Sequence, residues 1–336
     1  MFRYSITLLL LAFVTGCDSP SQGRRAVYYW RTSFNVNIEN VIELNTLQVS
    51  RLYVRIFDVD SQNNRFYPVA PLRVESPFPK GFTFVPVIYI TPFALRGLNS
   101  ANAIPLADTI LKTLQEFRTE QNWPDYSELQ LDADWSITNE EPYFELLQHV
   151  RKQLNLMGKQ LSCTIRLHQL GSVNPPVDRQ LIMIYNIDSL TNANASKTIL
   201  NSKLAKKYIG DKLRHHGQID IALPIYTWLS HFHGHRFLGL INGVAEYDLK
   251  KAPVKKLRNG WFEAEKSFRL GGRKIPKGDL LRFEDSLADS VDMANWLQEK
   301  IDIPQLQNSN MILFHYDSTL FSDRRKPSIK KIYSGY

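Results

Sequence analysis

Eight short runs of apolar, β-branched and aromatic residues recur along the chain and predict eight β-strands. They lie at residues 26–31, 51–57, 84–91, 128–134, 161–168, 180–186, 219–228 and 311–316. Between several of them, apolar residues return at every third or fourth position, which predicts helices at residues 101–121, 142–157, 197–213 and 286–301. Strands that alternate with helices pair in parallel. Eight of them in about 300 residues indicate the α/β class and a closed (β/α)8 TIM barrel.

This alternation is interrupted at residues 243–285, which contain no further strand–helix unit. Gly271 and Gly272 separate two strand-like runs, at residues 261–270 and 273–283, and a Gly-Gly pair in that position is typical of a β-hairpin. We therefore expect a β-hairpin insertion between strands seven and eight. One barrel domain would span residues 26–336 and include it.

The apolar positions of a barrel strand show which polar residues face the interior, because side chains alternate between the two sides. In the fourth strand, Leu129, Leu131 and Ala133 are expected to face the helices, so Asp132 and Asp134 face inward. The same argument sends a further group to the interior: Tyr53, Arg55, Gln130, Ser162, Thr164, Arg166, His168, Asp220, Tyr226 and Trp228. Buried charges are normally paired, so arginines from strands two and five are the expected partners of the two aspartates.

Barrel active sites lie at the carboxyl ends of the strands, where this sequence places several polar and aromatic residues. These candidates are Asp134, Trp135, Arg166, His168, Tyr185, Asn186, Tyr226 and Trp228, with Arg55 nearby. Tyrosine and tryptophan suit the apolar faces of sugar rings, and carboxylate, arginine and histidine suit sugar hydroxyl groups. An internal network of ion pairs without any chemistry is the alternative explanation of the same charges.

Two further groups have simpler explanations. Asp58 and Asp60 end the second strand, where they either join the site or open a polar loop. His231, His233 and His235 have an alternate spacing that zinc can use, but no carboxylate or cysteine accompanies them at a diagnostic spacing. We therefore predict neither a metal site nor a cofactor.

The amino terminus has the parts of an export signal. One charged residue precedes an apolar run at residues 6–14, which is too short to span a bilayer stably. The sequence Val-Thr-Gly-Cys at residues 14–17 resembles the lipobox of bacterial lipoproteins, which implies cleavage before Cys17 and attachment of a lipid to its sulfur. Residues 1–16 are thus a predicted signal peptide and residues 17–25 a tether. The expected location is the bacterial cell envelope, facing the periplasm or the exterior.

Composition narrows the classes of partner. Once Cys17 carries lipid, only Cys163 remains, so no intramolecular disulfide is possible, and its apolar surroundings indicate a small core residue. The formal net charge is +8, and its main sources are residues 250–282 and 324–331. In an exported lipoprotein this charge suits anionic lipid or an acidic glycan better than nucleic acid, unless it is only solvated surface charge.

Two strand-end motifs resemble those of chitinase-like glycoside hydrolases, a superfamily of (β/α)8 barrels. That family ends its fourth strand with Asp-x-Asp-x-Glu, and this chain has Asp-Ala-Asp-Trp-Ser at residues 132–136. Its sixth strand carries Met-x-Tyr-Asp, matched here by Met-Ile-Tyr-Asn at residues 183–186. The resemblance implies a tryptophan under a sugar subsite, either Trp228 or Trp135. It also assigns Ser136 to the place of the proton-donating glutamate, a role that serine cannot fill.

Two functions follow from these residues. In the first, the barrel is a glycoside hydrolase that acts on an extracytoplasmic glycan. Asp134 and Asp132 are its catalytic carboxylates, Arg166 and His168 orient them, and Tyr185 stabilises positive charge at the sugar. In the second, it is a non-catalytic glycan-binding or envelope-assembly lipoprotein. The chain is also similar to barrel-type bacterial lipoproteins, which implies no particular activity, in the runs at residues 131–135, 164–169 and 222–228.

Overall fold

The structure is a computed structural model that describes residues 24–63, 65–171, 174–300 and 308–336, without the side chain of His215. The predicted signal peptide, the lipidation site Cys17 and most of the predicted tether lie outside the described residues. Within the described ranges, no helix is both long enough and apolar enough to cross a membrane.

The first half of the chain runs through β1 (Arg25–Tyr29), β2 (Ser33–Phe34), α1 (Ile38–Thr46), β3 (Val49–Gln62), β4 (Arg65–Val69), β5 (Arg73–Val74), β6 (Thr83–Ile90), α2 (Pro92–Gly97), α3 (Ser100–Glu120), β7 (Glu128–Ala133), α4 (Glu140–Leu156), β8 (Gln160–Arg166) and β9 (Arg179–Met183). The second half runs through α5 (Ser202–Ile209), β10 (Ile219–Pro224), β11 (Thr227–His233), β12 (Arg236–Ile241), α6 (Glu246–Lys251), β13 (Val254–Lys256), β14 (Trp261–Ala264), β15 (Phe268–Leu270), β16 (Arg273–Ile275), β17 (Leu280–Asp285), α7 (Leu287–Gln298), β18 (Met311–Phe314) and α8 (Lys326–Ile332).

Eight parallel strands form a closed ring in the order β1, β3, β6, β7, β8, β9, β10 and β18. The ring closes because β18 pairs with β10 on one side and with β1 on the other, and β1 also pairs with β3. The predicted (β/α)8 TIM barrel is therefore confirmed. Outside the ring, β4 folds back antiparallel on the carboxyl end of β3.

Apolar packing on both sides of the ring explains why these runs form strands. Leu129, Leu131 and Ala133 belong to the core between strands and helices, whereas Tyr28 and Tyr53 belong to a separate core inside the barrel. The predicted alternation is thus confirmed for the second and fourth strands of the ring. Burial on both faces favours apolar side chains at most positions, which is typical of parallel sheets.

Several ring strands end earlier than the sequence pattern predicts, and three of them concern the predicted site. The strand β8 ends at Arg166 and is followed by a 3-10 turn over Leu167–Gln169; β9 ends at Met183 and β10 at Pro224. The helix predicted at residues 197–213 is also shorter, because α5 covers Ser202–Ile209 and a separate 3-10 turn follows it. Past these strand ends, Tyr185 still faces the interior, whereas His168 and Trp228 belong to other elements.

The insertion between β10 and β18 is larger than the predicted hairpin. Five antiparallel strands form a second sheet in the order β12, β11, β17, β14 and β13, with its own apolar core. The hairpin predicted at Gly271 and Gly272 is present as β15 paired with β16. The unbroken apolar run at residues 219–228 conceals where the insertion begins, because the chain leaves the barrel after Pro224 and Thr227 already starts β11.

Candidate functional site

A cavity of about 910 Å³ opens at the carboxyl ends of the ring strands, and we call it the mouth cavity. It is lined by Trp30, Arg31, Thr32, Ser33, Arg55, Asp58, Tyr89, Asp132, Asp134, Arg166, Tyr185, Asn186, Phe314 and Asp317. Five of the predicted site residues that line it come from β7, from β8 and from the end of β9. Active sites of TIM barrels lie at this end, so the mouth cavity is the candidate functional site.

Arg166, the last residue of β8, joins two aspartates that the neighbouring strand β7 presents. Its Nη2 lies 3.2 Å from Oδ1 of Asp132, and its Nε donates to Oδ1 of Asp134. Asp132 is 2% exposed and accepts a second hydrogen bond from Thr164 Oγ1 at 2.6 Å. The Asp134 side chain is 41% exposed. The strand therefore holds one carboxylate deep in the barrel and presents the other to the cavity.

Burial and charge shift the pKa values of Asp132 and Arg166 for different reasons. Burial raises the pKa of the Asp132 carboxyl, because desolvation outweighs the attraction of Arg166 and the hydrogen bond from Thr164. Burial lowers the pKa of Arg166, but Asp132, Tyr185 and Asp134 together raise it further, so the net shift is upward. Arg166 consequently stays charged, and Asp132 holds a proton more readily than a carboxyl in water.

The other two arginines of the cavity have their own aspartates. Arg55 binds Asp58 through two hydrogen bonds, at 2.7 Å from Nε and 2.5 Å from Nη2, so the expectation that it pairs with Asp132 or Asp134 is wrong. A β-bulge between Arg55 and Phe57 explains this, because it shifts the alternation and turns Asp58 inward. At the rim, Nη2 of Arg31 lies 2.5 Å from Oδ2 of Asp317.

Three aromatic residues of the cavity were missed by the sequence analysis. The Trp30 ring lies 6.0 Å from the Tyr89 ring and 5.7 Å from the Phe314 ring, measured between centroids. Phe314 in turn lies 5.0 Å from Tyr185. The alternation argument would have found all three had it been applied to the first, third and eighth strands. Partly exposed rings in this arrangement offer flat apolar surfaces to a ligand.

Tyr185 and Asn186 line the mouth cavity, as the sequence of the sixth strand predicts. The Tyr185 hydroxyl is buried and has no hydrogen-bond partner among the residues that the structure describes. Burial raises its pKa well above the usual value, so it remains a protonated donor. Asn186 has a left-handed backbone with φ of 55°, and its Oδ1 accepts from the Tyr226 hydroxyl at 3.0 Å. Tyr226 thus supports the cavity through Asn186 without lining it.

Three predicted substrate contacts lie elsewhere. Trp135 is 2% exposed and packs on the helix side, where its ring stacks on Tyr143 at 6.3 Å. His168 is exposed in the 3-10 turn that follows β8, beyond the last inward-facing position of that strand. Trp228 belongs to β11 of the insertion and packs edge-on against Tyr226. His168 and Trp228 were assigned by continuing an alternation past the end of the strand. Trp135 was assigned only by its place at a strand end, and its position on the helix side follows the alternation of β7.

Ser136 also lies outside the cavity, which changes the inference drawn from it. The strand β7 ends at Ala133, and Ser136 lies in an exposed turn with its Oγ 2.9 Å from that of Thr138. The next residue after this strand, Asp134, lines the cavity. A carboxyl group is therefore present at the mouth, two residues before the position that the motif assigns to the family's glutamate.

The insertion positions one wall of the cavity. The Glu284 carboxylate accepts from Thr198 N at 2.5 Å, from Thr198 Oγ1 at 2.8 Å and from Ile199 N at 3.1 Å. Asn186 N donates to Ile199 O at 2.8 Å, so Glu284 fixes the segment that holds a lining residue. The fully buried Arg282 pairs with Glu284 at 2.9 Å and donates to three backbone carbonyls of the same segment.

The histidines considered for zinc form a different arrangement. His231 Nε2 and His233 Nδ1 each lie 2.7 Å from one oxygen of Asp279, a carboxylate that is distant in sequence and was not anticipated. Across the described part of the chain, no group of three or more His, Cys, Asp or Glu side chains is arranged to hold a metal ion.

Comparison with known proteins places the fold. No protein-family model matches the sequence, and a search of curated proteins finds no match. The chain is similar in structure to a chitinase from Chromobacterium violaceum ATCC 12472, with TM-score 0.57, 10% identity and coverage of 93% of this chain and 99% of that one. For a class V chitinase from Nicotiana tobaccum the TM-score is 0.54 and the identity 12%, over 93% and 99% of the chains.

The spore cortex-lytic enzyme SleL of Bacillus megaterium QM B1551 is a third neighbour, with TM-score 0.53, 15% identity and coverage of 93% of this chain and 75% of that one. A mutant of the tobacco chitinase has been solved in complex with NAG4. At these identities the likeness shows the fold alone, a chitinase-like (β/α)8 barrel.

Proposed function

We propose that this protein binds a glycan in the mouth cavity and acts on it as a glycoside hydrolase, with Asp134 as the residue that exchanges protons with the glycosidic oxygen. The observation that carries this proposal is the carboxylate pair at the end of β7, which is bridged by Arg166, lines the cavity and is exposed at Asp134. Glycosidic cleavage needs a carboxyl group at the bond that breaks. The exposed Asp134 side chain is accessible to such a bond.

The surrounding residues suit a sugar. Trp30, Tyr89 and Phe314 offer ring faces, and a sugar ring presents apolar C–H surfaces to such faces. Tyr185 lines the same cavity, and its buried, unpartnered hydroxyl is a protonated donor. Chitinase and cortex-lytic neighbours use this barrel for glycan substrates, which adds fold-level support and no more.

Binding without cleavage is the second candidate, and one observation favours it. All four aspartates of the cavity lie within bonding distance of an arginine, so their carboxylates are already engaged in ion pairs. A site of this kind still recognises hydroxyl groups, because paired carboxylates retain acceptor oxygens and arginines retain donors.

A glycan array followed by a reducing-end assay separates the two candidates. We expect Trp30→Ala to abolish array binding and Ser136→Ala, outside the cavity, to leave it unchanged. If the barrel is an enzyme, Asp134→Asn lowers turnover by about 10² to 10⁴ and keeps binding within a few-fold. Turnover that survives in Asp134→Asn would remove that residue from the mechanism. Array-positive glycans that remain intact with the wild type would establish the binding function instead.

We further propose that the protein is anchored in the bacterial envelope by lipid on Cys17. The lipobox-like sequence at residues 14–17 supports this, as does the short apolar run before it. In metabolic labelling with palmitate, the wild type should incorporate label and partition into detergent, and Cys17→Ala should do neither. Unchanged detergent partitioning of Cys17→Ala would refute the anchor.

A further inference from the structure

The hairpin formed by β15 and β16 has an unusual charge composition. Residues 266–277 contain five basic side chains and no acidic one: Lys266, Arg269, Arg273, Lys274 and Lys277. None of the five forms an ion pair with a residue that the structure describes, although other basic residues of the insertion region do, such as Arg282 with Glu284. The hairpin therefore carries an uncompensated charge of +5.

Two of these charges face each other directly. Arg269 and Lys274 are cross-strand partners, and both are exposed. Their neighbours Phe268 and Ile275 pack toward the apolar core of the insertion, so the charged pair lies on the outer face. Like charges at this spacing destabilise a hairpin. An exposed pair of like charges with no compensating acid in the hairpin suits an anionic partner outside the chain.

The geometry of the hairpin is fixed before any partner arrives. Gly271 and Gly272 have φ of 53° and 77°, as a tight two-residue turn requires. A Cβ at Gly271 would come within 2.5 Å of the Ile241 side chain, so the turn lies directly against β12. Arg273 Nη1 also donates to Leu238 O, at 3.1 Å. Charges held in place in this way lose little conformational entropy on binding.

Topology places the hairpin at the same end of the barrel as the mouth cavity. The insertion leaves the ring at the carboxyl end of β10 and returns through β17 to α7, whereas the chain enters the ring at Arg25, at the opposite end. A membrane reached through the amino terminus would lie nearest that opposite end. The insertion emerges at the cavity end of the barrel, so a glycan is favoured over a bilayer as the partner.

We propose that the β15–β16 hairpin binds an acidic polysaccharide, one with carboxylate groups along its chain, and holds it beside the mouth cavity. The choice of a polysaccharide rests on the proposed function. Arg269 and Lys274 supply the outward charges, and Lys266 and Lys277 extend them along both strands. The hairpin is a recruiting surface, distinct from the cavity that would contact the sugar at the bond to be cleaved.

The test uses the full-length protein and polygalacturonate as the polyanionic probe, with affinities measured in low and moderate salt. Arg269→Glu with Lys274→Glu should weaken binding at least about tenfold, and Arg269→Gln with Lys274→Gln by an intermediate factor. Lys80→Glu with Lys152→Glu makes the same change in net charge at exposed sites on other parts of the barrel, and should stay within about twofold. Circular dichroism confirms that each variant is folded.

Three outcomes would overturn the proposal: no binding of polygalacturonate by the wild type, equal losses in the hairpin and control variants, or binding only to vesicles that contain phosphatidylglycerol. NAG4 serves as a neutral probe for the cavity. If Trp30→Ala removes NAG4 binding and the hairpin variants do not, the two surfaces are separate. If NAG4 and the glycan array show no binding but polygalacturonate binds through the hairpin, the proposed function of the cavity fails while the hairpin site stands.

Discussion

Arg166→Met is the most informative single perturbation of the cavity, because it removes the charge between two carboxylates and keeps most of the side-chain volume. Asp132 is 2% exposed and would keep Thr164 Oγ1, at 2.6 Å, as a hydrogen-bond donor. Asp134 is 41% exposed and would be solvated. The loss in the free energy of unfolding therefore comes almost entirely from the buried end of the pair.

The magnitude follows from these exposures. Leaving a buried charge unpaired costs about 3–5 kcal/mol, and losing the exposed partner adds about 0–1 kcal/mol. Burial already raises the pKa of Asp132, and without Arg166 that pKa rises further. A folded pKa above the unfolded value favours folding at low pH, and this contribution is lost as pH rises through the folded pKa. The cost of Arg166→Met should therefore be larger at pH 7 than at pH 5.

Urea denaturation at both pH values measures the effect. Arg31→Met is the matched control: its partner Asp317 is only partly buried, so the loss should stay below about 1 kcal/mol at either pH. Arg166→Met combined with Asp132→Asn should recover a large part of the stability, because the buried charge is gone. Equal losses at pH 5 and pH 7, or a double variant as unstable as the single one, would refute this explanation.

Three further predictions concern single residues. Burial lowers the pKa of His315 to about 4, so the folded state binds fewer protons than the unfolded state between pH 6.5 and 4. Stability should fall by about 2–3 kcal/mol as pH falls through this range, and His315→Gln should flatten that slope in urea titrations. Glu284→Gln should speed hydrogen exchange at the amides of Thr198 and Ile199 about tenfold or more, and unchanged exchange would show that Glu284 does not fix the segment. Burial raises the pKa of the Cys163 thiol, so a thiol reagent should label it only in denaturant, and rapid native labelling would contradict this.

The sequence predicts the side-chain directions better in the middle of a strand than past its end. In the middle of β7, Leu129, Leu131 and Ala133 alternate with polar residues, and the structure buries them on the helix side as expected. Past the strand end the same rule fails, because local hydrogen bonds direct the chain. Gln169, for example, accepts from Arg166 N at 2.6 Å and donates to Trp135 O at 2.6 Å, which closes the ends of β8 and β7 together.

The sequence predicts that the interior charges are paired, but it identifies only some of the partners correctly. The register that pairs Leu131 with Cys163 continues to place Arg166 opposite Asp134 and two positions beyond the partner of Asp132, so Arg166 is near both aspartates. The pairing of Arg55 with Asp58 depends on a bulge in β3 that places Ile56 and Phe57 on the same, outer side. That run contains no glycine and no other recognisable bulge signal. A prediction from strict alternation of inward and outward side chains therefore cannot detect the shift in register.

The interior charges were explained either as a structural network of ion pairs or as a functional site, and the two explanations apply at different depths of the barrel. Near the amino ends of the strands, Arg51 lies 2.5 Å from Glu128, and Arg179 pairs with Asp220, which also accepts from Asn310 N at 2.7 Å. These charges are largely buried and are paired with one another, as in a structural network. At the carboxyl ends, the cavity adds an exposed carboxylate and an unpartnered hydroxyl to its ion pairs. Residue type alone cannot separate the two layers, because both use arginine and acid. Their depth along the strands does so, and this is why the proposed function rests on the mouth layer only.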